Sequence, residues 1–246
     1  MQHRSKKIKK SFFIILVVLI VLSGGSAIYL SNYYHSVDVE KYMNGSWEVS
    51  VEKFDKGWFF DGAGEEKALI FYPGAKVATE AYAPLMYQLA ESGIDCFLVD
   101  MPFHMAFFGM NRAEEIMQEY NYEAWYLGGH SLGGAMAANF AADYVEDHTD
   151  GIRGLLLLAA YPTKDLSTSD MSVVTVYGSE DGVLNMDKIV AGRELMPQDY
   201  KEVCIEGGNH AQFGSYGAQK GDGTAAIPAE EQWARTVEVF VSDESE

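Results

Sequence analysis

The stretch Gly128-Gly129-His130-Ser131-Leu132-Gly133-Gly134 decides how the rest of the sequence is interpreted. It contains the pattern Gly-x-Ser-x-Gly between an apolar run that ends at Leu127 and an alanine-rich run that begins at Ala135. A serine on a tight turn from strand to helix is forced outward, and the glycines let the two elements pack closely. The pattern therefore predicts that Ser131 is a nucleophile. A glycine-rich turn with an incidental serine at the helix cap is the alternative.

Short apolar runs alternate with helical patterns on both sides of this turn. Strands are expected at 68–72, 94–99, 124–127, 154–160, 173–177 and 203–205, and helices at 80–92, 112–120, 131–145, 186–195 and 228–241. An earlier hairpin is expected around Asp55-Lys56-Gly57. Strand–helix units with uninterrupted apolar strands are typical of a mostly parallel sheet with helices on both faces. The predicted fold class is therefore α/β, in one domain over residues 46–246.

A serine hydroxyl needs a general base to remove its proton, and the chain has six histidines. His210 follows the last predicted strand, which places it at the same edge of a parallel sheet as Ser131. His130 adjoins the serine, and we expect its side chain to point away from the catalytic face. His210 is therefore the predicted base.

The acid that orients such a base is expected at the carboxyl end of another strand. Strand 173–177 leads into Gly178-Ser179-Glu180-Asp181-Gly182, in which Asp181 is the preferred candidate. Asp165, which follows strand 154–160, is the alternative, and Asp-Gly is also a common turn sequence. With Asp181 as the acid, the chain order is nucleophile, acid, base.

Two backbone N–H groups are expected to stabilise an oxyanion beside the serine. One is the Leu132 N–H, directly after the nucleophile, and the other is the Ala75 N–H in the turn Tyr72-Pro73-Gly74-Ala75. No metal or cofactor is implied, because no cysteine–histidine cluster has the spacing of a zinc site.

The substrate pocket is expected to be shallow. Only residues 161–172 join strands 154–160 and 173–177, which is too short for a helical lid or a cap domain. Segment 102–110 is apolar for a loop and is expected to line the pocket. The candidate lining residues are Phe103, His104, Phe107 and Phe108. The alternative is that this segment begins a buried helix.

The N-terminal sequence predicts attachment to a membrane. Residues 1–10 hold five basic residues and no acid, and residues 12–22 are all apolar. Because basic flanks stay in the cytoplasm, we expect a cytoplasmic segment at 1–10, a transmembrane anchor at 11–30 and a linker at 31–45. The catalytic domain would then lie on the extracytoplasmic side of the cell membrane. A cleaved signal peptide, which would give a secreted protein, is the alternative.

Charge disfavours nucleic acid as a partner. The chain carries 36 acidic and 18 basic residues, for a net charge of −18, and a body this acidic repels phosphate backbones. The expected partner is a small-molecule or envelope-bound substrate, and the sequence gives no oligomeric state.

Together these stretches resemble the α/β hydrolases over residues 46–242, and most of all the small branch of esterase-like and dienelactone hydrolase-like proteins. The resemblance rests on residues 71–85, on residues 129–134 and on Gly208-Asn209-His210-Ala211-Gln212-Phe213-Gly214-Ser215-Tyr216-Gly217. It implies the α/β-hydrolase fold and a catalytic triad of serine, acid and histidine. The predicted function is a serine hydrolase that cleaves carboxylic esters through an acyl-enzyme, and the missing lid favours short or accessible acyl groups. An acyltransferase or amidase that uses the same three residues, or a catalytically silent binding protein anchored at the surface, is the alternative.

Overall fold

The computed structural model describes Gly25, residues 31–148 and residues 151–243. The chain divides into two units, Met1–Tyr33 and Tyr34–Glu246, and the second unit holds the sheet. The predicted cytoplasmic segment at 1–10 lies outside the described residues, as does the predicted anchor at 11–30 apart from Gly25. In the part of the chain that the structure describes, no helix is both long enough and apolar enough to cross a membrane.

An eight-stranded sheet forms the centre of the second unit. Its strands are β1 (Ser50–Phe54), β2 (Gly57–Asp61), β3 (Lys67–Tyr72), β4 (Asp95–Val99), β5 (Ala124–His130), β6 (Ile152–Leu158), β7 (Ser172–Gly178) and β8 (Tyr200–Ile205). They lie in the order β1-β2-β4-β3-β5-β6-β7-β8. The β1–β2 hairpin joins β4 in antiparallel pairing, and every other pair is parallel. The predicted α/β class with a mostly parallel sheet is confirmed.

The segments before, between and after the strands form helices and short 3₁₀ turns. The helices are α1 (Glu40–Met43), α2 (Ala83–Glu91), α3 (Arg112–Glu119), α4 (Leu132–Asp147), α5 (Met186–Gly192) and α6 (Ala229–Asp243). The 3₁₀ turns are Thr79–Tyr82, Pro102–His104, Ala106–Phe108, Arg193–Leu195 and Ala211–Phe213. The helix predicted from residue 80 therefore begins as a 3₁₀ turn, and its α-helical part starts next to Pro84, a residue suited to a first helical position.

Two apolar cores lie on opposite faces of this sheet. Side chains alternate along a strand, so Leu69 and Phe71 of β3 pack with α2 and α6 in one core. Ile70 and Tyr72 of the same strand pack with α3 and α4 in the other core. Burial of these apolar side chains is the main favourable contribution to folding, and it fixes the sheet edge at which the loops of the site emerge.

Residues 34–45 differ from the predicted linker. The Tyr34 N–H donates to the Lys76 carbonyl at 2.7 Å, and the Val37 N–H donates to the Ser215 carbonyl at 2.8 Å. The Val39 side chain is buried, and α1 follows directly. The segment is therefore part of the sheet-bearing unit. Its few apolar side chains are spaced too irregularly to give a strand or helix pattern in the sequence.

Candidate active site

Ser131 lies on the turn from β5 to α4, at the carboxyl edge of the parallel strands. Its φ of +53° is uncommon for a residue with a side chain and costs free energy. Two backbone hydrogen bonds hold the turn: the Ser131 N–H donates to the Leu158 carbonyl at 2.8 Å, and the Ala135 N–H donates to the Ser131 carbonyl at 3.1 Å. Strain of this kind clusters at functional sites.

The glycine pattern around Ser131 has a steric cause. A Cβ atom at Gly133 would lie 2.1 Å from the Tyr72 carbonyl oxygen at the end of β3. Real Cβ atoms do not approach an oxygen so closely, so glycine is what lets the start of α4 pack against β3. The strand–turn–helix geometry that the pattern predicts is present.

Asp181 and His210 form a buried pair. The His210 Nδ1 atom lies 2.8 Å from the Asp181 Oδ2 atom, and both side chains are 2% exposed. Because a carboxylate only accepts hydrogen bonds, the proton belongs on Nδ1, which leaves Nε2 free to act as a base. The Asp181 Oδ1 atom accepts the N–H groups of Val183 and Leu184 at 2.9 and 2.7 Å. The carboxylate is therefore fixed at both oxygens.

The structure separates the two candidate acids. Asp181 follows β7 and contacts His210, as the sequence predicts. Asp165 is exposed and accepts the Ser167 N–H at 2.9 Å. Hydrogen bonding to the Ser167 side chain, and then to its N–H group, lowers the pKa of Asp165. Asp181 is therefore the carboxylate that is placed to orient His210.

His130 does not point away from the site, so that expectation is wrong. Its ring is 1% exposed, and the centroid lies 4.4 Å from that of His210. The Tyr82 hydroxyl accepts the Gly74 N–H at 3.0 Å and lies 2.7 Å from the His130 Nδ1 atom. Burial, with His210 nearby, lowers the pKa of His130 well below its usual value, so the ring is neutral. Strand β5 runs to His130, three residues beyond Leu127, where the predicted strand ends.

The predicted oxyanion donors lie on the two expected turns. Leu132 is the first residue of α4, and Ala75 lies in the turn that follows β3. Among the described residues, neither of their N–H groups has a hydrogen-bond acceptor. Two hydrogen bonds hold the Ala75 turn, one on each side. The Gly74 N–H donates to the Tyr82 hydroxyl at 3.0 Å, and the Lys76 N–H donates to the His104 carbonyl at 2.8 Å.

Loop 102–110 forms two 3₁₀ turns and an exposed aromatic surface rather than a buried helix. Phe103, Phe107 and Phe108 are 59%, 48% and 53% exposed. The centroid of the Phe108 ring lies 4.1 Å from that of Phe107 and 5.6 Å from that of Phe103. His104 is half-buried, and this burial lowers its pKa. Since the His104 carbonyl holds Lys76, this loop borders the Ala75 turn.

The base loop, residues 206–217 after β8, is held by an amide pair that no motif in the sequence indicates. The Asn209 N–H donates to the Gln232 side-chain oxygen at 3.0 Å, and the Gln232 amide donates back to the Asn209 carbonyl at 2.8 Å. Gln232 is fully buried on α6. A glutamine next to Trp233, on the face of a helix that carries apolar residues, is the only local signal that could have identified it.

The described residues present no metal site, since no three His, Cys, Asp or Glu side chains among them are grouped to hold an ion. Both cysteines are free thiols. Burial raises the pKa of the Cys96 thiol well above its usual value, so Cys96 is not a thiolate nucleophile. Cys204 is exposed on β8. Partial desolvation of its thiol, and then the nearby carboxylates of Glu206 and Glu202, raise its pKa as well.

A serine turn after β5, a carboxylate after β7 and a histidine after β8, on a mostly parallel sheet, define the α/β-hydrolase class. The chain belongs to the alpha/beta hydrolase family, and the model of that family matches residues 68–234. No curated protein matches the chain in sequence.

Solved structures of esterases and lipases have a similar fold. Carboxyl esterase 2 from the mycorrhizal fungus Tuber melanosporum has a TM-score of 0.60 and 13% identity, over 85% of this chain and 89% of the esterase. Monoacylglycerol lipase from Paleococcus ferrophilus has a TM-score of 0.57 and 15% identity, over 80% of this chain and 99% of the lipase. The esterase domain of a Rhodothermus marinus protein has a TM-score of 0.56 and 12% identity, over 79% of this chain and 97% of the domain. At these identities the likeness concerns the fold.

Proposed function

We propose that the protein is a serine hydrolase that cleaves carboxylic esters through an acyl-enzyme. The observation that carries the proposal is the buried pair of Asp181 and His210, whose Oδ2 and Nδ1 atoms lie 2.8 Å apart. The ring centroid of His210 lies 4.4 Å from that of His130, the residue next to the strained Ser131, with the two rings tilted by 54°. An imidazole fixed in this tautomer beside a serine turn is the arrangement that general-base activation of a hydroxyl needs.

The proposed reaction has two halves. The Ser131 Oγ atom attacks the ester carbonyl while the His210 Nε2 atom takes the hydroxyl proton, and Asp181 stabilises the imidazolium. The N–H groups of Leu132 and Ala75 bind the oxyanion. As the tetrahedral intermediate collapses, the alcohol leaves with the proton from Nε2. Water, deprotonated by the same nitrogen, then attacks the acyl-enzyme, and the acid is released as the Ser131 Oγ atom leaves and takes the proton back from Nε2.

The proposed acyl site is the exposed aromatic surface of loop 102–110. The loop borders the Ala75 turn, which carries one proposed oxyanion donor, through the His104 carbonyl, and it exposes Phe103, Phe107 and Phe108. The connection between β6 and β7 contains no helix, so nothing in that connection forms a helical lid. These features favour short or accessible acyl groups. The names of the similar esterases and of the monoacylglycerol lipase agree with an ester substrate.

The experiment that tests the proposal is hydrolysis of p-nitrophenyl acetate by the wild type and by Ser131→Ala. We expect the variant to lose at least about 10⁴-fold in kcat, because it lacks the nucleophile. Ser92→Ala is the matched control, since the Ser92 hydroxyl donates to the Gln88 carbonyl at the end of α2. Equal rates in Ser131→Ala and wild type would leave the catalytically silent binding protein as the function.

Acyl transfer and amide cleavage proceed through the same acyl-enzyme, so products distinguish them from ester hydrolysis. Addition of a short alcohol or amine to the assay reveals transfer if the new ester or amide forms faster than the free acid. A p-nitroanilide with the same acyl group tests amide cleavage. We expect the free acid from the ester to be the main product.

The location of the domain is a separate proposal, supported by the basic residues at 1–10 and the apolar run at 12–22. The domain would lie on the extracytoplasmic side, attached to the membrane or secreted. Protease treatment of intact cells tests this topology. Digestion of the domain while a cytoplasmic marker survives is the expected result, and protection of both would contradict export.

A further inference from the structure

Asp222 contacts the backbones of both the acid loop, residues 179–185 after β7, and the base loop. It lies between the 3₁₀ turn Ala211–Phe213 and α6. Its Oδ1 atom accepts the Gly182 N–H at 3.1 Å and the His210 N–H at 3.3 Å, and its Oδ2 atom accepts the Ala211 N–H at 2.8 Å. Gly182 directly follows Asp181, so one carboxylate spans the two residues of the buried pair through their backbones.

The chain around Asp222 is packed tightly against both loops. A Cβ atom at Gly223 would lie 2.0 Å from the Glu180 carbonyl oxygen, so only glycine allows this approach. On the other side, the Asn209 side-chain amide donates to the Gly223 carbonyl at 2.8 Å. Residues 222 and 223 therefore lie between the acid loop and the base loop and contact each directly.

We propose that Asp222 is a positioning residue that fixes the separation of Asp181 from His210. The proposal rests on the proposed function, in which those two residues orient and accept the serine proton. Hydrogen bonds from N–H groups to a carboxylate are stronger than neutral ones. Misplacement of catalytic groups by about 1 Å costs about 100-fold in rate. Asp222 does not orient the imidazole itself, because the His210 Nδ1 atom already binds Asp181. It acts by placing Asp181 and His210.

The first test is Asp222→Asn, which keeps the shape of the side chain but has one acceptor oxygen in place of two. Its NH₂ group must face either the Ala211 N–H or the N–H groups of Gly182 and His210. We expect kcat for p-nitrophenyl acetate to fall about 10- to 100-fold, with KM within about threefold of the wild type. The matched control is Asp165→Asn, which also removes a loop carboxylate that accepts a backbone N–H. An unchanged kcat in Asp222→Asn would overturn the proposal.

A double-mutant cycle with Asp181→Asn separates positioning from a general structural effect. If Asp222 acts by aligning Asp181 with His210, its loss costs little once Asp181 has been replaced. We therefore expect Asp222→Asn to lower kcat less than about threefold in the Asp181→Asn background. Equal fold-losses in both backgrounds would contradict the positioning role.

A measurement without substrate makes the two proposals separable. The His210 Nδ1 proton, held by Asp181, should give a far-downfield proton NMR signal that moves or broadens in Asp222→Asn and is unchanged in Asp165→Asn. An unchanged signal in Asp222→Asn would overturn the positioning role even if the enzyme hydrolyses esters. A shifted signal in a protein without esterase activity would support positioning and contradict the proposed function. Should Asp222→Asn not fold, Asp222→Glu carries the same tests, because it keeps both oxygens but displaces them by one methylene.

Discussion

The two sides of the candidate site are built in different ways. On the acid–base side, the Asp181 and His210 side chains are 2% exposed. Asp222 accepts the N–H groups of Gly182 and His210, and Gln232 pairs with the Asn209 backbone. On the opposite side, loop 102–110 presents three phenyl rings that are about half exposed. The polar side is fixed by directional hydrogen bonds, whereas the aromatic side is held at its base by backbone contacts.

This difference matches what each side has to do in the proposed reaction. Proton transfer needs atoms placed within a few tenths of an ångström, which buried hydrogen bonds supply. An acyl group needs apolar contact of adaptable shape, and exposed loops on a rigid scaffold commonly provide it. Changes on the acid–base side should therefore lower kcat, and changes on the aromatic side should raise KM.

The largest expected effect on the acid–base side comes from Asp181→Asn. The amide can no longer hold the His210 Nδ1 proton in the productive tautomer, so we expect a loss of about 10⁴-fold in kcat with the fold retained. Steady-state hydrolysis of p-nitrophenyl acetate and far-UV circular dichroism measure the two quantities. Asp165→Asn should keep full activity. Loss of activity in Asp165→Asn, with Asp181→Asn fully active, would move the acid to the loop after β6.

Tyr82→Phe tests the connection between the two sides. Removal of the hydroxyl leaves the buried Gly74 N–H and the His130 Nδ1 atom without their partner, which costs about 1–3 kcal/mol of unfolding free energy. We expect kcat to fall about tenfold, because Gly74 directly precedes Ala75, whose N–H is a proposed oxyanion donor, in the Ala75 turn. Urea unfolding and ester hydrolysis are the measurements. Tyr87→Phe is the control, with a change within about 0.5 kcal/mol expected, and equal stability of the two variants would contradict the account.

The sequence predicts the candidate residues Ser131, Asp181 and His210 but not the groups that hold Asp181 and His210 in place. Ser131, Asp181 and His210 each follow a parallel strand, and the carboxyl ends of such strands share one edge of the sheet, so strand ends alone predict that the three residues lie at that edge. Asp222 and Gln232 act across long chain separations, through contacts that leave no periodic pattern nearby. The expectation for His130 was wrong because β5 continues three residues beyond the predicted strand end at Leu127.

Truncation tests whether segment 34–39 supports the Ala75 turn, which carries one proposed oxyanion donor. A chain that begins at residue 40 lacks the backbone hydrogen bonds from Tyr34 to Lys76 and from Val37 to Ser215, which hold the Ala75 turn and the base loop. Compared with a chain that begins at residue 34, we expect about a fivefold lower kcat and a lower melting temperature. Identical kinetics and melting of the two chains would show that the segment is a linker, as the sequence predicts.

The smallest effect on catalysis is expected on the aromatic side. Phe108→Ala removes a half-exposed ring, so unfolding free energy should change by no more than about 0.5 kcal/mol. KM for p-nitrophenyl hexanoate should rise about threefold to tenfold, with kcat unchanged, because the acyl chain loses apolar contact. Trp47→Ala, at a side chain that is 90% exposed, is the control. A fall in kcat without a rise in KM would place Phe108 with the catalytic residues.

Reaction with a fluorophosphonate, followed by peptide mass mapping, tests most directly whether His210 and Asp181 activate Ser131 as a nucleophile. We predict one covalent adduct, located on Ser131, absent in Ser131→Ala and formed at least about 10³-fold more slowly in His210→Ala. The reagent needs no knowledge of the natural substrate. No adduct in the folded wild type, or an adduct on a different residue, would contradict the account.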